Sequence, residues 1–397
     1  MPVKSGALLP IVLITVGSVC GLAATDLVLP AIPILPDVVA GTAASAQWVL
    51  AAFALGTGTG LLIFGELGTR FKLVNILSAS LLVFAALSFL ATQAETLVHM
   101  SIVRYVQGIV ASASAVYAPV LIRQLYEGPA AVAMMGRLGS IESMAPAVAP
   151  IVGVFLLNAF GWQSSFYLLA VVAVVLSVAW YSTPRFKEQF GRLETVRGGY
   201  GDLLANASFM RLALSQACTL GAILVIVFSA PKVITSSMGG ELSDFIIMQV
   251  SGITFFVIAA NMTGVFTRWW GPERTIFIGS AMSAVGCVAI WFMSFIGQQS
   301  IHLLWFFFIF VNLGLGIRGP VGFYEALLAS DDNDSRGSAL IILLVMLLAA
   351  GGTAAVAPFI ENGLHPVAMV ATAFGVTSVL LLQMLGSGQG RNIERTE

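Results

Sequence analysis

The chain has 397 residues, of which 58% are hydrophobic and only 9% are charged, and its formal net charge is −1. A soluble domain carries about 25% charged residues, so this composition excludes a water-soluble globule. The near-zero net charge comes without a basic patch, and nothing indicates binding to nucleic acid. We therefore expect an integral membrane protein surrounded by the lipid bilayer.

Apolar segments recur along the whole length of the chain. A helix that crosses the hydrocarbon core needs roughly 20 consecutive apolar residues. This criterion predicts an all-α polytopic membrane protein with twelve transmembrane helices. The predicted spans are residues 8–30, 45–67, 73–92, 96–120, 132–157, 163–183, 208–232, 243–267, 275–296, 301–328, 337–360 and 364–386. The first imitates a signal peptide, but eleven further spans follow it, so we interpret it as a transmembrane helix.

The basic residues predict how the chain crosses the membrane. Most of the 18 Lys and Arg residues fall at the termini or in alternate connections between spans. Positive residues favour the cytoplasmic side, so both termini are expected there. We predict a multi-pass protein of the bacterial cytoplasmic (inner) membrane. Three basic residues do not follow the pattern, because Arg104, Lys232 and Arg318 lie inside spans or at their edges.

A polar stretch at the middle of the chain, residues 182–202, separates the sixth span from the seventh. The segments GELGTRF (65–71) and GVFTRWW (264–270) follow the second and eighth spans and share a Thr-Arg pair, which indicates an internal duplication. Parallel repeats of six spans, with the solute site midway between them, are a common transporter plan. We predict an N-terminal six-helix bundle (1–183), a cytoplasmic central loop (184–207) and a C-terminal six-helix bundle (208–397).

Four motifs occur in order in the first half: TDLVLPAIP, GELGTRFK, IVRYVQGIVASASAVYAP and APAVAPIVG. Together they resemble the major facilitator superfamily, and within it the 12-span drug:proton antiporters of the Bcr/CflA type. The resemblance covers roughly residues 10–180 and extends only loosely into the second half, mainly through RGSALIILL (336–344). It implies two pseudo-symmetric six-helix bundles, a small-molecule substrate, and protons as both partner and energy source. We expect a monomer that is not an enzyme and uses no cofactor or metal.

Three ionisable residues within the spans are candidates for proton coupling. A carboxylate in an apolar helix is costly unless it is paired, protonated or hydrated, and a buried carboxyl group can bind and release a proton. Asp26 and Arg104 lie at similar depth and are expected to pair, and the resemblance places both in its coupling motifs. Alternatively, Asp26 faces water and Arg104 forms a fixed salt bridge. Glu142 is either a second protonation site or the partner of a nearby arginine.

The fifth span carries a candidate conformational motif. Pro146 and Pro150 lie one turn apart, and Gly153 follows. Proline kinks a helix by removing a backbone hydrogen bond, and glycine allows helices to approach closely. The resemblance places this motif at the interface of the two halves.

The connection after the second span departs from the family pattern, although its Gly65 and Arg70 persist. Thr69 stands where that pattern has an aspartate, and Glu66 is a candidate replacement for the missing carboxylate. Whether this altered connection still latches the transporter's conformations stays open.

The tenth span contains two charges, Arg318 and Glu325, seven residues apart and therefore about two turns apart on one helix face. An arginine at the centre of a helix in lipid costs roughly 2.5–3.5 kcal/mol, so we expect both residues to line a water-filled cavity where Arg318 contacts the substrate. Lys232 is a weaker candidate, because extension of its side chain to the membrane interface also explains it. Further candidate substrate-binding residues are Tyr117, Asn312 and Tyr324.

These observations favour a proton-coupled secondary active transporter that exports drugs or metabolites by alternating access. The alternative is a transporter, exporting or importing, of an anionic carboxylate metabolite such as a siderophore, bound by Arg318 and Lys232. An intramembrane enzyme lacks a convincing catalytic constellation, and a non-transporting receptor is a third possibility. The segment GLGIRG (314–319) has dinucleotide-binding spacing, but it lacks the strand–helix–strand context that such a site needs.

Overall fold

The computed structural model describes residues 8–183, 186, 190 and 198–384. These residues are overwhelmingly helical, and within them no β-strand forms, although Ala40 and Thr96 make an isolated parallel bridge. Twelve helices are long and apolar enough to cross a bilayer. The predicted all-α class and the predicted number of spans are therefore confirmed.

We number the twelve long helices α1 to α12 in chain order. Shorter helical segments, at Leu29–Ile34, Leu35–Val38, Tyr200–Ala205 and Ala357–Asn362, lie in the connections. The long helices are α1 (Leu8–Asp26), α2 (Ala43–Leu67), α3 (Leu73–Ala91), α4 (Leu97–Leu125), α5 (Gly128–Phe160), α6 (Ser164–Ser182), α7 (Ala207–Ser236), α8 (Leu242–Trp270), α9 (Pro272–Phe295), α10 (Ile301–Leu328), α11 (Asp334–Val356) and α12 (Leu364–Met384).

Prolines determine where the first helix ends. The apolar pattern predicts a span to residue 30, but α1 stops at Asp26 and the chain continues as the 3₁₀ segment Leu29–Ile34. Pro30 lies at the start of that segment and Pro33 inside it. Proline lacks a backbone N–H and disfavours the α conformation in the residue before it, so this pair of prolines favours the end of α1 before them. Asp26 is therefore placed at a helix end.

Polar side chains cap several helices where the chain leaves the apolar layer. Thr42 accepts a hydrogen bond from the Ser45 backbone N–H at the start of α2, and Thr96 accepts one from His99 at the start of α4. Asn206 caps α7 in the same way through Phe209. Each cap satisfies a backbone donor that has no partner inside its own helix.

Contacts divide the chain into two compact units. Unit 1 comprises the described parts of residues 1–126, 141–197 and 333–340, and unit 2 those of 127–140, 198–332 and 341–397. The first turns of α11 thus belong to unit 1, and the beginning of α5 belongs to unit 2. The predicted central loop, 184–207, is described only in part. The predicted division into an N-terminal and a C-terminal six-helix bundle stays a prediction.

Glycines allow neighbouring helices to approach closely within each unit. In unit 1, a Cβ atom built on Gly56 would collide with the carbonyl oxygen of Tyr105, and one on Gly108 with that of Phe53, so α2 and α4 pack backbone against backbone. In unit 2, a Cβ on Gly314 would lie 2.5 Å from the Gly279 carbonyl oxygen. Inside the bilayer the hydrophobic effect does not drive apolar helices together, so their association depends on close packing of small residues. The glycine spacing at 314–319 reflects this packing.

We expect Gly108→Ala to destabilise the protein, because the added methyl group must displace the backbone of α2. Forcing atoms into a packed interface costs about 1–3 kcal/mol. The melting temperature of purified protein in detergent should fall. Gly351→Ala is the matched control, since a Cβ at this helical position meets no atom within 4 Å and alanine favours helix. Equal melting temperatures for the two variants would contradict the close α2–α4 contact.

Candidate functional site

Asp26 is the last residue of α1 and is partly buried. Its carboxylate makes no hydrogen bond or ion pair with any residue that the structure describes. The backbone beside it is held firmly, because Ser165 Oγ donates to the Leu27 carbonyl oxygen at 3.0 Å. A Cβ atom on Gly153 would lie 2.5 Å from the same oxygen, so α5 also approaches here. Asp26 thus presents an unpaired carboxylate from a fixed position.

Arg104 is wholly buried and is held mainly by neutral oxygen atoms. Its Nη1 donates to Gln107 Oε1 at 2.7 Å, its Nη2 to the Ala24 carbonyl oxygen at 3.3 Å and its Nε to that of Val49 at 3.4 Å. The expected ion pair between Arg104 and Asp26 is not formed, although the structure describes both residues. Arg104 instead contacts the α1 backbone two residues before Asp26.

Glu142 connects α5 to α1. It accepts a hydrogen bond of 2.5 Å from Ser18 Oγ, a buried hydroxyl on α1. The sequence left open whether Glu142 is a protonation site or an arginine's partner, and within the described ranges it has no basic partner. Ser18 and Asp26 lie eight residues apart on α1, which corresponds to about 12 Å along the helix. Unit 1 therefore carries two carboxyl groups close to α1, neither of them neutralised by a described cation.

A cluster of charges surrounds the end of α2, within unit 1. Glu66 accepts hydrogen bonds from Arg70 (Nη2, 2.7 Å; Nε, 3.0 Å) and from Arg336 Nε at 2.8 Å. Arg336 also donates to Asn333 Oδ1 at 2.9 Å and approaches Thr69 Oγ1 at 3.5 Å. Glu66 therefore binds Arg336 in the first turn of α11. Thr69, in the position of the family's aspartate, lies beside the same guanidinium.

Further contacts attach residues 333–340 to α2 and α4. Arg123 forms an ion pair with Asp334. A Cβ atom on Gly68 would lie 2.7 Å from Ser335 Cβ and 2.8 Å from a ring carbon of Tyr117, so the backbone after α2 packs directly on α11. The start of α11 is thus held by both ionic contacts and close packing.

Arg318, on α10, is wholly buried and has no carboxylate partner among the described residues. Its Nη1 donates to the Ser215 carbonyl oxygen at 2.7 Å and to Thr219 Oγ1 at 3.0 Å, both on α7. Its Nε and Nη2 have no partner in the described part of the chain, and neither has Oε1 of buried Gln216. Nη2 and Oε1 both border Gly322, where a Cβ would lie 2.8 Å and 3.1 Å from them. Unpaired donors and an unpaired acceptor thus lie together inside unit 2.

Lys232 lies well away from Arg318. It forms an ion pair with Glu361 at 3.1 Å, and both side chains are exposed. Thr219, which binds Arg318, and Lys232 are thirteen residues apart on α7, about 20 Å along the helix. The two cations are therefore too far apart to hold one carboxylate group, and their binding of one anionic metabolite stays a prediction.

Three of the other predicted substrate-binding residues hydrogen-bond to the protein backbone. Tyr117 donates to the Phe64 carbonyl oxygen at 2.5 Å, Asn312 donates to that of Phe308 at 2.9 Å, and the Tyr324 hydroxyl accepts from the Gly128 N–H at 2.9 Å. The Glu325 side chain is partly buried and does not pair with Arg318. Their contact with substrate stays a prediction.

Sequence reasoning missed the polar groups that hold the two buried arginines. Gln107 lies one turn after Arg104, and Ser215 and Thr219 lie one turn apart in α7. That spacing places each set on one helix face, which is a signal that the sequence does contain. Nothing in the sequence alone indicates which helix such a face meets.

Comparison with known proteins identifies the family. The model of the Major Facilitator Superfamily matches residues 14–355. A chloramphenicol resistance protein of Pseudomonas aeruginosa is 26% identical over 67% of this chain and 64% of its own length. A bicyclomycin resistance protein homolog of Haemophilus influenzae is 22% identical over 59% of this chain and 61% of its own. The matched regions thus span less than two thirds of these relatives' lengths. The predicted resemblance, to this superfamily and to transporters of the Bcr/CflA type, is confirmed.

Solved structures show the same fold at low sequence identity. The proton:xylose symporter XylE is 15% identical, with a TM-score of 0.75 over 97% of this chain and 96% of its own. The human organic anion transporter MFSD10 is 13% identical, with a TM-score of 0.71 over 96% of this chain and 100% of its own. Because the family model matches most of the chain and the helices have the family's fold, the protein belongs to the Major Facilitator Superfamily of membrane transporters.

Proposed function

We propose that this transporter exports small organic molecules, drugs or metabolites, in exchange for protons by alternating access across the bacterial cytoplasmic membrane, with both termini in the cytoplasm. The observation that carries the proposal is the unpaired Asp26 carboxylate, placed two residues from the point where the buried Arg104 binds the backbone of α1. The names of the relatives, resistance proteins for chloramphenicol and bicyclomycin, support export of drug-like solutes.

The coupling step follows from the charges in unit 1. When Asp26 is ionised, its negative charge attracts the Arg104 guanidinium and weakens the hold of the neutral carbonyl oxygens of Ala24 and Val49. When Asp26 is protonated, that attraction is lost and Arg104 keeps its hydrogen bonds to the backbone oxygens of Ala24 and Val49. Because Arg104 bridges α1 and α2, the protonation of Asp26 changes how strongly these helices are tied together. Glu142, which accepts a hydrogen bond from Ser18 of α1, supplies a second protonation site.

The charge cluster at Glu66 serves as the conformational latch in this proposal. Glu66 takes the role of the missing aspartate, because its carboxylate binds Arg336 directly. Breaking and remaking this contact would release and recapture the start of α11. Arg70 binds the same carboxylate and keeps it directed toward the end of α2.

The anion alternative retains one observation in its favour. Arg318 offers unpaired Nε and Nη2 donors inside unit 2, and a guanidinium binds carboxylate groups through two parallel hydrogen bonds. A carboxylate-bearing solute is therefore the second candidate substrate. In this form of the proposal Arg318 acts without Lys232.

Proton coupling is tested in proteoliposomes of purified protein by drug-triggered proton movement. We expect Asp26→Asn to abolish the drug-triggered flux, since an amide cannot carry the proton, while drug binding persists. Glu142→Gln should reduce the flux, and Ser18→Ala should reproduce part of that reduction through loss of the 2.5 Å hydrogen bond. The matched control is Glu361→Gln, because Glu361 is an exposed carboxylate whose ion pair is with Lys232. A normal drug-triggered proton flux in Asp26→Asn would refute the role of Asp26 as the proton carrier.

The latch is tested by Glu66→Gln, which we expect to slow drug efflux and to lower stability. Hydrogen bonds to charged groups contribute about 1.5–3 kcal/mol, and the amide leaves Arg336 without its carboxylate. Adding Thr69→Asp to that variant should restore much of the efflux, because residue 69 already lies beside the Arg336 guanidinium. Thr69→Asn is the uncharged control. If Asp and Asn at position 69 rescue equally, the charge contact with Arg336 is not the latch.

Transport of radiolabelled polycarboxylates tests the second candidate. We expect Arg318→Gln to abolish any such transport and Lys232→Gln to leave it intact, because Lys232 lies about 20 Å along α7 from Thr219, the residue that binds Arg318. Drug efflux and the melting temperature, measured on the same preparations, separate loss of anion recognition from misfolding. Equal loss in both variants would contradict a site at Arg318 alone, and no polycarboxylate transport by the unmodified protein would exclude this candidate.

A further inference from the structure

A groove of about 440 Å³ opens at one end of unit 2, where α7 and α9 begin and α12 ends. This volume lies in the range of small-molecule sites. No predicted proton-coupling or substrate-binding residue lines it. The lining residues are Arg211, Leu212, Glu273, Arg274, Ile276, Phe277, Ile278 and Leu382.

The outer part of the groove is positively charged. The Arg211 side chain is 13% exposed, and its polar contacts with the described residues are long, at 3.8 Å to Glu273 and 3.5 Å to the Leu382 carbonyl oxygen. Arg274 is exposed and forms no hydrogen bond or ion pair with any part of the chain that the structure describes. Two guanidinium groups and one carboxylate leave the lining with one net positive charge. Both arginines retain N–H donors for an anion.

The remaining wall of the groove is apolar and follows one face of α9. Phe277 and Ile278 lie one turn beyond Arg274, toward the middle of the helix, and each is 39% exposed. Leu212 and Leu382 complete this wall from α7 and α12. Charge at the helix end and exposed apolar surface one turn deeper reproduce the order of headgroup and acyl chain in a phospholipid. A small hydrophilic anion would leave the apolar wall uncovered.

The neighbouring aromatic residues mark the level of the membrane surface. Trp269 and Trp270 end α8, immediately before α9 begins, and are 70% and 38% exposed. The ring of Trp270 stacks on Phe266 with centroids 5.0 Å apart. Tryptophan is enriched where the hydrocarbon core meets the headgroups, so the arginines of the groove lie at headgroup depth.

We propose that this groove binds one anionic phospholipid. Its phosphate accepts charge-assisted hydrogen bonds from Arg211 and Arg274, and an acyl chain lies along Phe277 and Ile278. Basic pockets between transmembrane helices are suited to anionic headgroups. Because the lipid contacts α7, α9 and α12 at once, it stabilises the packing of these three helices at one end of unit 2. The proposal depends only on the membrane location of the chain and is independent of the solute that is transported.

The test is lipid binding by the full-length protein in detergent, measured by native mass spectrometry and by the melting temperature. Phosphatidylglycerol should form a retained one-to-one adduct and raise the melting temperature, whereas phosphatidylcholine should do neither. In Arg274→Gln, and more so with Arg211→Gln added, the affinity for phosphatidylglycerol should fall at least about tenfold through loss of the charge-assisted bonds. Arg268→Gln, an exposed arginine at the end of α8 outside the groove, should behave as the unmodified protein.

A second pair of measurements distinguishes the lipid from a free phosphate. Ile278→Asn keeps both arginines but adds a polar group to the apolar wall, so it should weaken phosphatidylglycerol binding. Inorganic phosphate at the same concentration should give no stabilisation. Equal stabilisation by phosphate and by the lipid would overturn the proposal in favour of a soluble anion. Equal binding of the two phospholipids, or undiminished binding by the doubly substituted arginine variant, would overturn it altogether.

Discussion

Hydrocarbon offers no hydrogen-bond partners, so each polar group buried in a membrane protein must be satisfied by the protein or by water held inside it. Two wholly buried guanidinium groups, Arg104 and Arg318, meet that constraint to different extents, because Nε and Nη2 of Arg318 have no partner among the described residues. Arg104 on α4 binds the backbone oxygen of Ala24 on α1, and Arg318 on α10 binds that of Ser215 on α7. In the predicted six-helix repeats these are the fourth and first helices of each half. The same helix pair is thus joined by an arginine in both.

Such contacts require helices close enough for a side chain to reach a neighbouring backbone. Glycine provides the room, because a Cβ on Gly279 of α9 would lie 2.7 Å from Cβ of Arg318 itself. Around Arg104, the ring of Phe53 lies 4.1 Å from the guanidinium carbon and adds a favourable interaction between cation and aromatic ring. The hydrogen bonds that satisfy the buried arginines therefore depend on close helix packing. A larger residue at such a glycine would separate helices whose polar contacts depend on their approach.

The sequence predicted the helices well and the contacts between them poorly. Twelve spans follow from apolar segment length alone, since that length is set by the bilayer. The end of α1 at Asp26 was missed by four residues, because hydropathy does not register the backbone constraint of Pro30 and Pro33. Glu66 was correctly suspected as a replacement carboxylate, but its partner Arg336 lies 270 residues away and is found only through tertiary packing. The expected ion pair between Asp26 and Arg104 is absent for a related reason. A similar depth in the membrane does not determine the directions in which two side chains point.

The two buried arginines differ in what lies near them, and that difference suggests a division of roles. Near Arg104, the backbone contact at Ala24 is two residues from Asp26, whose carboxylate has no partner among the described residues. The described residues bonded to Arg318 are a carbonyl and a hydroxyl oxygen, and neither titrates near neutral pH. Its Nη2, which has no partner among the described residues, and Gln216 Oε1 both border Gly322. A buried arginine held by the backbone of a neighbouring helix therefore occurs in both units, with a carboxylate nearby along α1 in unit 1 and an amide oxygen beside it in unit 2.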